Sequence, residues 1–239
     1  MKTRMRFTKT GSVKFIGHLD CMRFFQKAIR RAKLDVAYSQ GYSPHQLMSF
    51  ASPLGVGITS DGEYIDVEFN SLPDGTLEEL KDYLNQFMTD ELFVTDIEIM
   101  SDQFKNSMSL LMACDYMIVE KENSVFPENL EQKWNDFMSQ DEIIVMKKTK
   151  RSEKEMDIKP YILKQALSLE YFAKETEQDY GELHCQYQGR SIYMQLTSGS
   201  ELNIKPDLVM DAFFSYCQQE PKPYSYQIHR MQMYFKRVA

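Results

Sequence analysis

Two histidines near the N-terminus, His18 and His45, are the residues whose type best suits acid–base chemistry near neutral pH. With Arg23 or Lys27 to hold a phosphate, they could supply the base, the acid and the cation that metal-independent RNA cleavage needs. That chemistry requires the loop carrying His45 to fold back over the start of the helix carrying His18. Each residue also has a plain structural reading. His18 can be a packed ring, and Asp20 beside it can be an acid at the positive end of a helix dipole. No G-x-S-x-G, P-loop, G-x-G-x-x-G or H-E-x-x-H spacing occurs, and Gly55-Val-Gly57 is too short for a nucleotide fingerprint. The chain is therefore read as non-catalytic, with His18 and His45 as the weak exceptions.

Metal and cofactor chemistry finds no support either. Cys21, Cys114, Cys185 and Cys217 are far apart, with no C-x-x-C pair and no triplet for an iron–sulfur cluster. They read as free thiols in a reducing compartment, and no cofactor is expected. His184 and Cys185 are neighbours, but adjacent residues on a strand point to opposite faces. The many methionines read as core filling.

Binding is better supported than reaction. Up to Leu34, Lys2, Arg4, Arg6, Lys9, Lys14, Arg23, Lys27, Arg30, Arg31 and Lys33 face only Asp20, although the chain as a whole has a formal net charge of −7. Arg4, Arg6, Arg23, Lys27, Arg30 and Arg31 are the candidate phosphate contacts, since neutralised phosphates release counterions. The loop Tyr38–His45 gathers Ser39, Gln40, Tyr42 and His45 around Gly41 and Pro44, and is a candidate contact for RNA or a partner. A second basic run, Lys147, Lys148, Lys150 and Arg151, sits on a connection. Between Phe50 and Glu142, by contrast, four lysines stand against twenty acids. The ordinary alternative is a solvated helix face, paired with that acidic middle.

The elements that must position these residues follow from periodicity. Arg4–Thr8 alternates as a strand. Leu19, Met22, Phe25, Ile29 and Ala32 form the apolar stripe of a helix from His18 to Leu34. Leu47–Ala51 and Glu63–Phe69 read as strands, Thr76 with Glu79 as a capping box opening a helix to about Met88, and Leu92–Met100 as a strand. The second half repeats the theme less clearly. Strands are predicted over Leu111–Glu120 and Glu142–Lys148, helices over Glu128–Ser139 and Asp207–Cys217, and a closing strand over Tyr224–Arg237. Met156–Leu163 is extended, and His184–Tyr187 with Ser191–Leu196 forms a hairpin turning at Gln188-Gly189. The expected fold class is α+β: two tandem ferredoxin-like β-α-β-β-α-β subdomains, 1–104 and an elaborated 105–239, with the boundary near Ser101–Ser109.

The ordered segments R-F-T-K-T-G, F-I-G-H-L-D, R-R-A, S-Q-G-Y-S-P-H, S-F-A-S-P-L-G-V-G and G-E-Y-I-D-V span the first third of the chain. Together they resemble the bacterial radical-SAM-associated domain family of unknown function, and K-K-T-K-R-S-E-K-E-M-D-I-K-P-Y-I adds a weaker likeness. Gly17 and Gln46 depart from the serine and proline expected there. The resemblance implies a bacterial cytoplasmic protein working beside a radical SAM protein, and names no activity. The leading expectation is an accessory protein that binds a structured RNA, rRNA or tRNA, through the basic N-terminal face. A pure protein–protein adaptor is the alternative. No apolar run approaches the length of a membrane span, so no membrane is expected.

Overall fold

The computed structural model describes residues 1–101, 103–121, 125–148 and 153–236. It is a mixed α+β protein with mostly antiparallel strand pairing and, among the described residues, six α-helices. The chain forms two compact units, one of residues 1–112 with the chain from Arg230 onward, the other Ala113–His229.

The first unit begins with β1 (Lys2–Lys9), a 3-10 turn (Gly11–Phe15) and α1 (His18–Arg31). Then come β2 (Met48–Phe50), β3 (Thr59–Glu68), α2 (Leu77–Asn85), β4 (Val94–Met100) and the short α3 (Ser107–Leu110). β1 lies between β3 and β4, antiparallel to both, and β2 pairs with β3. The predicted strands and helices of this third all form. The capping box is present, with Glu79 N–H donating to Thr76 Oγ1 at 3.1 Å and Thr76 N–H donating to Glu79 Oε2 at 2.8 Å.

One sheet face carries the core. Met5 and Phe7 meet Phe25 of α1, and Phe7, Phe25 and Phe50 form an edge-to-face trio with centroids 4.8, 5.6 and 5.9 Å apart. Leu80 and Leu84 of α2 close the same cluster. Strand alternation sends Lys2, Arg4 and Arg6 to the other face.

The second unit contains β5 (Leu111–Glu120), α4 (Leu130–Ser139), β6 (Ile144–Lys148), β7 (Glu153–Asp157), β8 (Ile162–Ala166), α5 (Leu169–Thr176), β9 (Ser191–Thr197), α6 (Pro206–Tyr216) and the start of β10 (Tyr226–Phe235). β9 lies between β5 and β8, antiparallel to both, and among the described residues β6 pairs with β7 alone. Trp134, Phe137 and Phe213 fill its core, and Trp134 Nε1–H donates to Gln165 Oε1 at 2.6 Å.

Two expectations fail here. His184–Tyr187 is not a strand, and no hairpin turns at Gly189. The reason is that β5 and β8 already occupy both edges of β9. Gly189 instead passes against the end of β5, where an added Cβ would stand 2.6 Å from the Glu120 carbonyl oxygen. The extended reading of Met156–Leu163 resolves into the end of β7, a 3-10 turn at Lys159–Tyr161 and the start of β8. α5 has no counterpart among the elements expected from periodicity, and Ser168 caps it by accepting from Tyr171 N–H at 3.1 Å.

Candidate nucleic-acid interface

α1 is two-sided because its sequence is. Cys21, Phe25, Ala28 and Ile29 are buried, while Arg23, Lys27, Arg30 and Arg31 are exposed. Steps of three and four residues put these cations on one side of the helix, along about 12 Å of its axis. Arg23 pairs with Asp20 at 3.0 Å, an exposed contact that water screens and that yields readily to a phosphate. Arg31 donates to the Phe87 carbonyl at 3.2 Å, just past the end of α2, so it has a structural task as well. Lys27 and Arg30 have no ion-pair partner among the described residues.

The Tyr38–His45 loop stands beside this helix. Ser39 N–H donates to the His45 carbonyl at 2.8 Å, and Ser39 Oγ meets both His45 N–H at 3.1 Å and His45 Nδ1 at 2.8 Å. These bonds close the loop neck. Gly41, at φ +117°, makes the reversal that an L side chain resists. Gln40 and Tyr42 are left at the exposed tip. Gln46 Nε2–H donates to the Gln26 carbonyl at 3.3 Å and ties the loop to the middle of α1.

That anchorage bears on the two histidines. His18 is half-buried, its ring 5.0 Å from Phe50 in an edge-to-face contact. His45 is bonded to Ser39, in a loop held at Gln26, about 12 Å along the helix from His18. The loop is thus fastened at mid-helix and not over the helix start.

Arg4 and Arg6 belong to the opposite sheet face. Arg4 is buried between the rings of Phe104 and Phe235, 4.8 and 4.1 Å from their centroids, with Nε–H donating to Ser107 Oγ at 2.9 Å. Asp66 lies 3.9 Å from it and accepts from Ser107 N–H and Oγ–H, each at 2.6 Å. Burial pushes the Asp66 carboxyl up, with those bonds and Arg4 opposing. Arg6 donates to the Met231 carbonyl at 3.4 Å and has Asp96 across the β1–β4 pair. The N-terminal cations therefore divide between two faces, and α1 holds the exposed set. Of the second basic run, Lys147 and Lys148 close β6, with side chains outside the described part, and Lys150 and Arg151 lie outside the described residues.

A buried polar cluster beneath the start of α1 escaped the sequence reading. Glu63 and Arg230 are each only 3% exposed and form a two-pronged ion pair at 2.7 Å on both prongs. Arg230 also donates to the Ser52 carbonyl at 3.0 Å. Lys9 Nζ–H donates to the Ile16 carbonyl at 2.9 Å, and burial lowers the Lys9 pKa, against the attraction of Cys21 and Glu63. Lys9, His18, Cys21, Phe50 and Glu63 line a small space of about 10 Å³, on the order of one water, which is too small for a substrate in this conformation. Burial pushes the Cys21 thiol up to about 12. Native alkylation with iodoacetamide at about pH 8 should therefore label the half-buried Cys185 and Cys217 well before Cys21 and Cys114, as read by peptide mass spectrometry. Early labelling of Cys21 would contradict this packing.

Among the described residues no group of three His, Cys, Asp or Glu side chains is placed to hold a metal, and no helix is long and apolar enough to cross a membrane. A family model, "Uncharacterized protein conserved in bacteria (DUF2344)", matches residues 2–206, and the chain belongs to that family. No curated relative matches it.

Proposed function

We propose that this protein is a cytoplasmic, non-catalytic accessory to a radical SAM enzyme, and that it holds a structured RNA, ribosomal or transfer, against α1 and the Tyr38–His45 loop. The observation that carries the reading is the single exposed stripe of Arg23, Lys27, Arg30 and Arg31 on a helix whose other side is core. Tyr42 at the loop tip adds a ring for an unpaired base. The partner enzyme would dock on apolar surface near the helix start, where Phe15, Leu19 and Val56 are 66%, 63% and 63% exposed. Gly57 N–H donates to the Lys14 carbonyl at 2.8 Å and brings the Val56 loop to that turn.

The fold is read more finely as tandem ferredoxin-like. Strand order β4-β1-β3-β2 in the first unit supports this, as does β10-β5-β9-β8 in the second. In the second unit the β6–β7 ribbon and α5 are the elaborations. The fold itself names no activity.

The test is a titration of ribosomal and transfer RNA over a salt series. Three or four phosphate contacts give a slope of log K against log salt of about −2 to −4. Arg23→Glu with Lys27→Glu and Arg30→Glu should weaken binding at low salt by about 100-fold or more and leave the melting temperature nearly unchanged. Absent or salt-insensitive binding would refute the RNA reading. Phe15→Glu with Leu19→Glu should release the protein partner and spare RNA. Partner release without any RNA affinity in the parent protein would leave the adaptor reading.

A further inference from the structure

In the second unit a pocket of about 670 Å³ opens between the end of β5 and the loop before β10, within the size range of small-molecule sites. Lys121, Tyr187, Lys222 and Tyr224 give it two cations and two rings. Lys121 Nζ stands 5.5 Å from the centroid of the Tyr187 ring, so cation and ring face the same space.

The loop is built to hold this arrangement. Pro221 and Pro223 bracket Lys222 and restrict its backbone. Ser225 N–H donates to the Lys222 carbonyl at 3.2 Å, and Lys121 N–H donates to the Ser225 carbonyl at 3.1 Å, which fastens the loop to β5. Tyr224, a non-glycine residue on the pocket wall, takes a left-handed backbone conformation at φ +63°. Such strain at an aromatic residue is uncommon and needs a compensating role. Tyr224 finds no such compensation in packing, since it is 86% exposed. Ser225 belongs to the pocket lining, and its Oγ is buried with no hydrogen-bond partner among the described residues.

The geometry points to a nucleotide site: the base would lie against Tyr187 and Tyr224, with its phosphate between Lys121 and Lys222. Aromatic walls select a planar ring, and the lysines select the anion joined to it. Glu220, exposed on the pocket wall, can accept from the sugar hydroxyls or the base edge. The nucleotide can be a free mononucleotide or an unpaired residue of an RNA. This site shares no residue with the α1 stripe and does not rest on that reading.

The experiment is calorimetric titration of the full chain with AMP, with adenosine, with inorganic phosphate and with a single-stranded adenosine pentanucleotide. AMP should bind with a dissociation constant of about 1 mM or tighter, and adenosine and phosphate at least about tenfold more weakly. A pentanucleotide much tighter than AMP identifies the source as RNA, and equal affinity identifies it as the free nucleotide. Lys121→Glu and Lys222→Glu should each weaken AMP by about tenfold or more. Tyr224→Gly removes the ring but relieves the backbone, so it should lose affinity without losing melting temperature. The Arg23, Lys27, Arg30 charge-reversal variant should bind AMP normally, whether or not it binds RNA. No AMP binding at about 5 mM, or full affinity in both Lys222→Glu and Tyr224→Gly, overturns the proposal.

Discussion

Replacing Arg230 by methionine should lower the stability of the protein by about 3–5 kcal/mol, one of the largest effects available to a single substitution here. The guanidinium is buried, and it satisfies both oxygens of Glu63 at 2.7 Å and the Ser52 carbonyl at 3.0 Å. Removing it leaves a carboxylate with 3% exposure in the core and no forked donor. Lys9 is close enough for attraction but is committed to the Ile16 carbonyl, and its own burial already disfavours its charge. It cannot take over the bidentate role. The paired replacement, Glu63→Met with Arg230→Met, should recover much of the loss, because the cost lies in the orphaned charge more than in the missing bond. Urea unfolding reads both variants, with the midpoint falling at an unchanged slope for the single one. A loss under about 1 kcal/mol for Arg230→Met would show that water reaches Glu63 and that the pair is not sealed.

Half of that cluster was readable beforehand. In β1 the residues at odd positions, Thr3, Met5 and Phe7, face the core, and Lys9 continues the series. In β3 the same holds for Glu63 with Ile65 and Val67. A lysine and a glutamate at core positions of two adjacent strands ask for partners, since such groups are rarely buried unpaired. Charge counted along the chain groups Lys9 with the surface cations, whereas alternation along β1 places it with the core residues. Arg230 could not have been found the same way. It lies far along the chain on β10, and no local pattern says which strand of the first unit β10 accompanies.

The α1 stripe and the cap at Thr76 were legible because both are local: a 3.6-residue period and a three-residue spacing. The separation of Arg4 and Arg6 from α1 is also local in origin. Alternation along β1 opposes them to Met5 and Phe7, and α1 packs on the Phe7 side. Counting charge along the chain merged two faces that a period of two keeps apart. The false hairpin at Gly189 has the opposite cause. Its turn chemistry was sound, but β5 and β8 compete for the edges of β9, and that competition is settled by the whole sheet.

Gly62→Ala tests the closeness of β3 and β10 directly. A Cβ built on Gly62 falls 2.5 Å from the Met231 carbonyl oxygen, 2.7 Å from Gln232 Cα and 2.9 Å from Gln232 N. All three are backbone atoms, so no side chain can swing aside. Nor can β10 retreat cheaply. Ser60 Oγ–H donates to the Arg230 carbonyl at 2.8 Å, Tyr64 OH donates to Gln232 Oε1 at 2.9 Å, and Arg230 is locked to Glu63. The methyl must either break these bonds or bend a paired strand, and the expected cost is about 2–4 kcal/mol. The backbone conformation of Gly62 is ordinary, so the penalty is one of space alone. Two other glycines separate the causes. Gly57 has φ +88° and open surroundings, and its change to alanine should cost about 1 kcal/mol through conformation. Gly17 has an ordinary conformation and nothing within 4 Å, but it is the N-cap of α1, where alanine is less favourable than glycine, so alanine there should cost about 0.5–1 kcal/mol through the cap alone. Chemical denaturation should show Gly62→Ala as clearly the most destabilised of the three, with Gly57→Ala and Gly17→Ala each costing about 1 kcal/mol or less. If Gly62→Ala proves as mild as Gly57→Ala, the two strands do not approach this closely, and the seal over Glu63 and Arg230 loses its explanation.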